Sequence, residues 1–171
     1  VISMMMSNGE EFVASEGFDL SQSTLNPCVV KHLLKGKFNN DAFLDLGVVV
    51  EDEANETYHF HLLANHGTSF ANDGLLASLS GYEVVDIQSV DDQLDAYSKI
   101  VVAGVNRTNA KQELRTISYL TDHYQLMAAG IEISVSEIDF SRLLFSDVAD
   151  MNSDGYHDLV WAFTFDDAGT K

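Results

Sequence analysis

Apolar and smaller or polar residues alternate along much of the chain. Large apolar side chains recur at every second position over residues 131–135 and 159–165, and a period of two is the pattern of a pleated sheet. Leu114, Ile117 and Leu120 instead repeat every three residues, which would also suit a helix. We interpret that segment as a strand because it matches residues 60–63 in a repeated unit. The pattern therefore predicts an all-β fold.

Two independent markers predict a repeat, which must be sought before individual motifs. Polar loops at 37–45, 91–99 and 150–158 recur at nearly even intervals, and an apolar run follows each of them. Apolar segments that begin at Ile2, Phe60 and Ile117 recur at almost the same interval. Three units, each about one third of the chain, account for all 171 residues. We therefore treat 1–171 as a single domain made of repeats.

The third loop has the composition of a cation site. Its positions 1, 3, 5 and 9 carry side-chain oxygens and its position 6 is glycine: Asp150, Asn152, Asp154, Asp158 and Gly155. Carboxylate and amide oxygens suit Ca²⁺ better than a transition metal. An EF-hand would need a bidentate Glu at position 12, where this sequence has Trp161 within an apolar strand. The alternative is an Asx-rich turn that binds no metal.

Several short strands per repeat of this length are typical of a β-propeller blade. An aromatic residue after a Gly-containing turn, a strand and then Asp-x-Asn-x-Asp-Gly-x-x-Asp-Leu-Val together resemble the FG-GAP/VCBS repeats of integrin α-subunits and bacterial surface proteins. The resemblance is specific over 147–161. It implies about three blades of a β-propeller, with Ca²⁺ held between the first two strands of a blade. The implied ligands are Asp150, Asn152, Asp154, Asp158 and the backbone carbonyl of Tyr156.

The other two loops depart from this pattern by carrying a lysine at a ligand position. The first loop has Lys37, Asn39, Asp41 and Asp45, and the second has Asp91, Gln93, Asp95 and Lys99. Because an ammonium group opposes a divalent cation but can donate to several oxygens, we hypothesise that these loops are metal-free, salt-bridged versions. Alanines at position 6, Ala42 and Ala96, agree with a relaxed turn. The alternative is that both lysines point to solvent.

The overall charge restricts the expected partners. Twenty-seven acidic and nine basic residues give a formal net charge of −18, which disfavours nucleic acid and anionic membrane surfaces. The apolar run 100–105 is too short to span a membrane, so we expect no membrane insertion. Cys28 is the single cysteine and excludes an internal disulfide. The chain opens at Val1 without a basic segment, so we expect no signal peptide and a processed or excised piece.

No motif for catalysis accompanies the repeats. His59 and His61 share a strand face, but no third ligand lies near them in sequence, so we interpret that face as exposed. Three units are fewer than the four to eight blades of single-chain propellers, so we expect a second copy or a further segment to complete the ring. The resemblance implies a non-catalytic calcium-binding module that binds a protein or glycan ligand at the cell surface, either secreted or periplasmic. The alternatives are a lectin-like carbohydrate-binding assembly and a propeller-fold polysaccharide lyase or hydrolase.

Overall fold

The computed structural model describes residues 5–7, 12–14, 29–67, 69–91, 96–120, 123–127, 130–133 and 139–164. Within these residues the secondary structure is β, apart from one 3-10 turn at Phe140–Arg142. The all-β prediction is confirmed. The strands are β1 Met5–Ser7, β2 Phe12–Ala14, β3 Val29–Gly36, β4 Asp45–Asp52, β5 Thr57–Asn65, β6 Phe70–Ser80, β7 Tyr82–Val90, β8 Lys99–Asn106, β9 Lys111–Leu120, β10 His123–Leu126, β11 Ile131–Ile133, β12 Leu143–Ala149 and β13 Asp158–Phe163.

The strands pair in chain order as antiparallel meanders. The first large sheet has the order β3-β4-β5-β6, and the second has the order β7-β8-β9-β10 with β11 also paired to β9. Two hairpins, β1-β2 and β12-β13, stand as separate two-stranded sheets. In the part of the chain that the structure describes, no sheet closes on itself. Short connections between sequential strands account for this order, because antiparallel neighbours need only a tight turn.

The three hairpins that contain the repeated loops share one register. Each first strand contains a β-bulge, after which His32 pairs with Val49, Asp86 with Ala103, and Phe145 with Ala162. The stretch of chain between the two partners has the same length in all three hairpins. A bulge bends a strand and increases its twist at a fixed point. The three hairpins are therefore structural copies of one another, although the paired side chains differ.

The segment with the three-residue spacing forms strand β9. Ile117 on this strand pairs with Ile100 of β8 on one side and with Leu126 of β10 on the other. Ile117 and Ile100 are fully buried. Pairing on both sides satisfies the backbone of this segment and overrides its weak helical pattern, because helix propensity yields to tertiary context.

The main core lies between the two large sheets. Its buried members come from both sheets: Leu34, Phe38, Val49, Tyr58, Phe60, Leu62, Ala64, Leu79, Tyr82, Ile87, Ile100, Val102, Ile117 and Tyr124. Strand β3 contacts β7, β7 contacts β12, and β6 contacts β10. The first strands of successive sheets are thus neighbours, and so are β6 and β10 at the far edges of the two large sheets.

Gly36 permits this close approach at the end of β3. A Cβ atom at Gly36 would lie 2.6 Å from the Ser98 hydroxyl and 2.8 Å from the Phe38 ring. Both distances are shorter than carbon contacts allow, so a larger residue would push the second sheet away from the first. The sequence therefore has its smallest residue where the two sheets meet beside the loops.

Candidate functional site

The three repeated loops lie at equivalent places in their hairpins. The first strands β3, β7 and β12 end at Gly36, Val90 and Ala149, and the second strands begin at Asp45, Lys99 and Asp158. The loops at 37–45 and 150–158 lie wholly within the described residues. In the middle loop, residues 92–95, which include Gln93 and Asp95, lie outside the described residues.

In the third loop, the first two predicted ligands bind the backbone of their own loop. Asp150 accepts the N–H of Asp154 at 3.1 Å through Oδ1 and the N–H of Gly155 at 2.9 Å through Oδ2. Asn152 Oδ1 accepts the Asp154 N–H at 2.9 Å, and the Asn152 amide donates to Asp154 Oδ2 at 3.0 Å. These bonds wind the loop around its side-chain oxygens.

The remaining predicted ligands of this loop follow the same pattern. Asp154 Oδ1 accepts the Tyr156 N–H at 2.9 Å, and Asp158 Oδ2 accepts the Met151 N–H at 3.1 Å. Ser153 and Gly155 have positive φ angles of 61° and 89°. Glycine adopts this left-handed conformation without steric cost, which explains why the sequence has glycine at position 6. Tyr156, whose carbonyl was the fifth predicted ligand, is an exposed residue.

The donor set of this loop fits a hard cation in its chemistry. Three carboxylates and one amide oxygen belong to one short loop, and this is the ligand type that Ca²⁺ takes. Within the described residues, no group of three or more Asp, Glu, His or Cys side chains already stands in a metal-holding arrangement. Each carboxylate oxygen keeps a second lone pair beside its N–H bond. Binding would therefore require the side chains to draw together.

The first loop has the same side-chain-to-backbone turns at positions 3 and 5 as the third loop, and its last carboxylate is buried. Asn39 Oδ1 accepts the Asp41 N–H at 3.1 Å, and Asp41 Oδ1 accepts the Phe43 N–H at 2.7 Å. Asp45 is only 2% exposed. It accepts the Phe38 N–H at 3.0 Å, the Asn39 amide at 3.3 Å and the Asn65 N–H at 2.9 Å. Three donors from the protein thus satisfy this buried carboxylate.

Lys37 stands at position 1 of the first loop and is exposed. Its backbone N–H donates to Ser98 Oγ at 2.6 Å, and its carbonyl accepts the Ser98 N–H at 2.9 Å. The ion pairs found among the described residues do not join Lys37 to Asp41 or Asp45. In this loop the Asn39 amide and backbone N–H groups donate to the carboxylate that we expected the Lys37 ammonium to neutralise. Lys37 instead faces solvent, which was the alternative interpretation.

The middle loop is described at its two ends. The Asp91 carboxylate accepts a hydrogen bond from the Ser98 hydroxyl, and Ser98 is buried. Lys99 begins β8 and is half-buried. Because Gln93 and Asp95 lie outside the described residues, the salt-bridged form of this loop remains a prediction.

Neighbouring loops are joined by a repeated hydrogen bond that the sequence reasoning missed. The backbone N–H at position 1 of one loop donates to the position 8 side chain of the next. These bonds run from Lys37 to Ser98 Oγ at 2.6 Å and from Asp91 to His157 Nδ1 at 3.2 Å. The available signal was that residues 98 and 157 occupy the same loop position. Their different side chains, a hydroxyl and an imidazole, concealed it.

A second polar contact joins β7 to the β12-β13 hairpin. The buried Asp86 accepts the Ser146 hydroxyl at 2.9 Å and the Trp161 indole N–H at 3.3 Å. Burial lowers the pKa of His32, and the negative charge of Asp86 opposes that shift. Asp86 and His32 are the residues that follow the bulges of β7 and β3. The sequence offered no signal for this contact, because its partners are far apart along the chain.

His59 and His61 on β5 do not both lie on an exposed strand face, as the sequence predicted. Their ring centroids are 6.4 Å apart, but His61 is only 7% exposed, so the predicted exposed face does not describe it. His61 Nε2 has no hydrogen-bond partner among the described residues, and burial lowers its pKa. The His59 ring instead bonds Ser78 Oγ at 2.9 Å. We assign this pair to packing within the first large sheet.

Comparisons of the chain with protein-family models, with curated proteins and with solved structures found no match. Among the residues that the structure describes, none belongs to a helix long and apolar enough to cross a membrane.

Proposed function

We propose that this chain is a non-catalytic, calcium-binding β-propeller module that recognises a ligand at the cell surface. One observation carries the proposal: the same bulged hairpin occurs three times with the same register, and one copy has a full set of oxygen ligands in its loop. Repetition of one supersecondary unit is the mark of architectures in which each unit buries its face against the next.

The contacts between sheets support the propeller part of the proposal. In a propeller the blades are four-stranded meanders packed face to face around a central channel. The first large sheet has this order, and the second has it with β10 and β11 both paired to β9. The first strands β3, β7 and β12 are neighbours in that sequence. Under the proposal the first strands line the channel, and a second copy or a further segment supplies the missing blades of the ring.

The composition of the third loop supports the calcium part of the proposal. Asp150, Asp154 and Asp158 bring three negative charges to a loop whose backbone already turns around them. These like charges repel one another when no cation is present. A bound Ca²⁺ would therefore reduce the repulsion among the three carboxylates and also link them.

Calorimetric titration with Ca²⁺ tests this function directly. We expect one site per chain in the wild type and none in Asp154→Ala, while Asp41→Ala in the first loop keeps the site. Light scattering with and without chelator then gives the number of chains in the ring. A titration that finds no site, or three tight sites per chain, would contradict the proposal. A monomeric mass with no further segment attached would contradict ring closure by a second copy.

A lectin-like role is the second candidate, and one observation favours it. A cleft of about 290 Å³ lies between the two large sheets, and its lining combines tyrosine side chains with polar groups. Small-molecule sites are typically concave and aromatic, with a few placed polar groups.

A further inference from the structure

The cleft between the two large sheets is formed by β6 on one side and by the second sheet on the other. Strand β6 contributes Asp73, Leu75 and Leu76, and the second sheet and its loop contribute Tyr97, Tyr119 and His123. A smaller cleft of about 240 Å³ is also bordered by Tyr97 and Tyr119. The tyrosine pair is thus a wall shared by two adjoining depressions.

Two bulges in β6 supply the first side of the cleft. The pairing of β6 with β5 slips between Phe60 and His61 and again between Leu62 and Leu63. The residues of β6 that these slips leave without a partner are Leu76 and Asp73. Bulges re-aim side chains and are frequent beside functional sites. Both of the extra residues in this strand line the cleft, so the irregularity of the strand builds the surface.

The other side of the cleft is an aromatic wall. Tyr97 and Tyr119 stack with ring centroids 4.0 Å apart and an interplanar angle of 22°. Tyr124 contacts Tyr119 edge to face at 5.4 Å, and its hydroxyl donates to the Ser98 carbonyl at 2.9 Å. Burial raises the pKa of the Tyr124 phenol, so this hydroxyl keeps its proton. The Tyr119 ring therefore contacts both Tyr97 and the hydrogen-bonded Tyr124.

The polar groups of the cleft select the kind of ligand. Asp73 and Asn40 are exposed, and neither side chain has a hydrogen bond or an ion pair within the described part of the chain. An ionised carboxylate only accepts hydrogen bonds, so the ligand must donate. Asp73 and the net charge of −18 oppose an anionic ligand. Hydroxyl groups beside an apolar ring face meet both conditions.

We infer that this cleft binds a neutral saccharide. One sugar unit lies against the Tyr97–Tyr119 wall and Leu75, and its hydroxyls donate to Asp73 and bond Asn40. The volume is at the lower end for small-molecule sites, roughly 300–1,000 Å³, so the site takes one or two sugar units of a glycan. The inference rests on the recognition role proposed above and gives that role a ligand class. It does not require the calcium loop at 150–158.

A glycan array that contains neutral and anionic glycans, probed with the full chain in millimolar Ca²⁺ and again with chelator, tests the inference. We expect the wild type to bind neutral glycans. The dissociation constants of Asp73→Asn and Tyr97→Ala should be at least tenfold larger than that of the wild type. Glu53→Gln is the control. It removes one negative charge from the turn between β4 and β5, which does not line the cleft, and it should leave binding unchanged. Saturation-transfer NMR with the bound sugar should report contact with tyrosine protons in the wild type.

Three outcomes would overturn the saccharide site: no bound glycan, binding confined to anionic glycans, or equal binding by wild type and Asp73→Asn. Asp73 is exposed and makes no contact that holds the fold within the described residues, and an unchanged melting curve for Asp73→Asn would show that the variant is folded. Calorimetry with Ca²⁺ on the same samples separates the two proposals. Asp73→Asn should keep the calcium site, and Asp154→Ala should keep glycan binding.

Discussion

The loops at 37–45 and 150–158 are two versions of one design. Both have Asx turns at positions 3 and 5, formed by Asn39 and Asp41 in the first and by Asn152 and Asp154 in the third. They differ at position 1, where Lys37 replaces Asp150, and at position 6, where alanine replaces glycine. The turn itself therefore does not require the full set of carboxylates.

The two loops also treat their last carboxylate differently. Asp45 is buried and accepts three hydrogen bonds from the protein, whereas Asp158 is half-buried and has one such bond among the described residues. Asn65, at the end of β5, provides one of the donors to Asp45. The first loop thus neutralises its carboxylate internally, and the third leaves negative charge for an external cation.

Asp45→Ala should produce the largest effect. It leaves one buried donor, the Phe38 N–H, and two part-buried donors from Asn39 and Asn65 without their acceptor, and each unsatisfied buried group costs about 1–3 kcal/mol. Because water can reach the two part-buried donors, we expect the free energy of unfolding to fall by about 4 kcal/mol in denaturant titrations. The matched variant Asp158→Ala, measured with chelator, should lose about 1 kcal/mol. Equal losses in the two variants would show that the hydrogen bonds from the protein to Asp45 do not stabilise the first loop more than those to Asp158 stabilise the third.

Removal of calcium should have the second largest effect. A ligand that binds only the folded state stabilises it by about 4 kcal/mol at a thousandfold excess over its dissociation constant. Chelator should therefore lower the melting temperature of the wild type. Asp150→Ala should melt at one temperature with or without Ca²⁺, while Asp41→Ala keeps the response. A response that survives in Asp150→Ala would place the ion elsewhere.

A double substitution should convert the first loop into the third. Lys37→Asp with Ala42→Gly gives the first loop the pattern Asp-x-Asn-x-Asp-Gly-x-x-Asp. We expect calorimetry to find a second calcium site per chain, with a stabilisation of about 2.7 kcal/mol at a hundredfold excess of Ca²⁺ over its dissociation constant. The single variant Ala42→Gly is the control and should bind one ion. If the double variant also binds one ion, the burial of Asp45 prevents its use as a ligand.

Lys37→Ala should have the smallest effect. The lysine side chain is exposed, and its contacts with Ser98 are made by backbone atoms that alanine keeps. Surface substitutions of this kind change stability little, so the melting temperature should move by less than about 2 °C. A larger fall would mean that the ammonium does serve the carboxylates of its loop.

The sequence predicted the parts of this molecule that depend on local pattern. Alternating residues predicted strands, and the loop spacing indicated three copies of one hairpin before any register was known. The chain could not reveal which of the carboxylates are buried, because Asp45 and Asp158 occupy the same loop position and differ through their surroundings. Asp45 is satisfied partly by Asn65, which belongs to a different strand.

Contacts between sheets could not be predicted from the sequence because their partners come together only when the sheets pack. Asp86 meets Ser146 and Trp161 only after separate sheets pack together, and Tyr97 meets Tyr119 only after its loop folds onto β9. The bulges that place Leu76 and Asp73 in the cleft arise from a mismatch in strand pairing. Gly74, which lies between Asp73 and Leu76, has a φ angle of 102°. A single glycine in the sequence does not reveal which of its neighbours lose their pairing partners.

The hydrogen bonds from Lys37 to Ser98 and from Asp91 to His157 make the sheets depend on one another in series. In such a linear array, each unit gains stability from its immediate neighbours, so disruption spreads from one interface to the next. The central sheet, held from both sides, should exchange its amide hydrogens most slowly. Its backbone would then open only in events that also release an adjoining sheet.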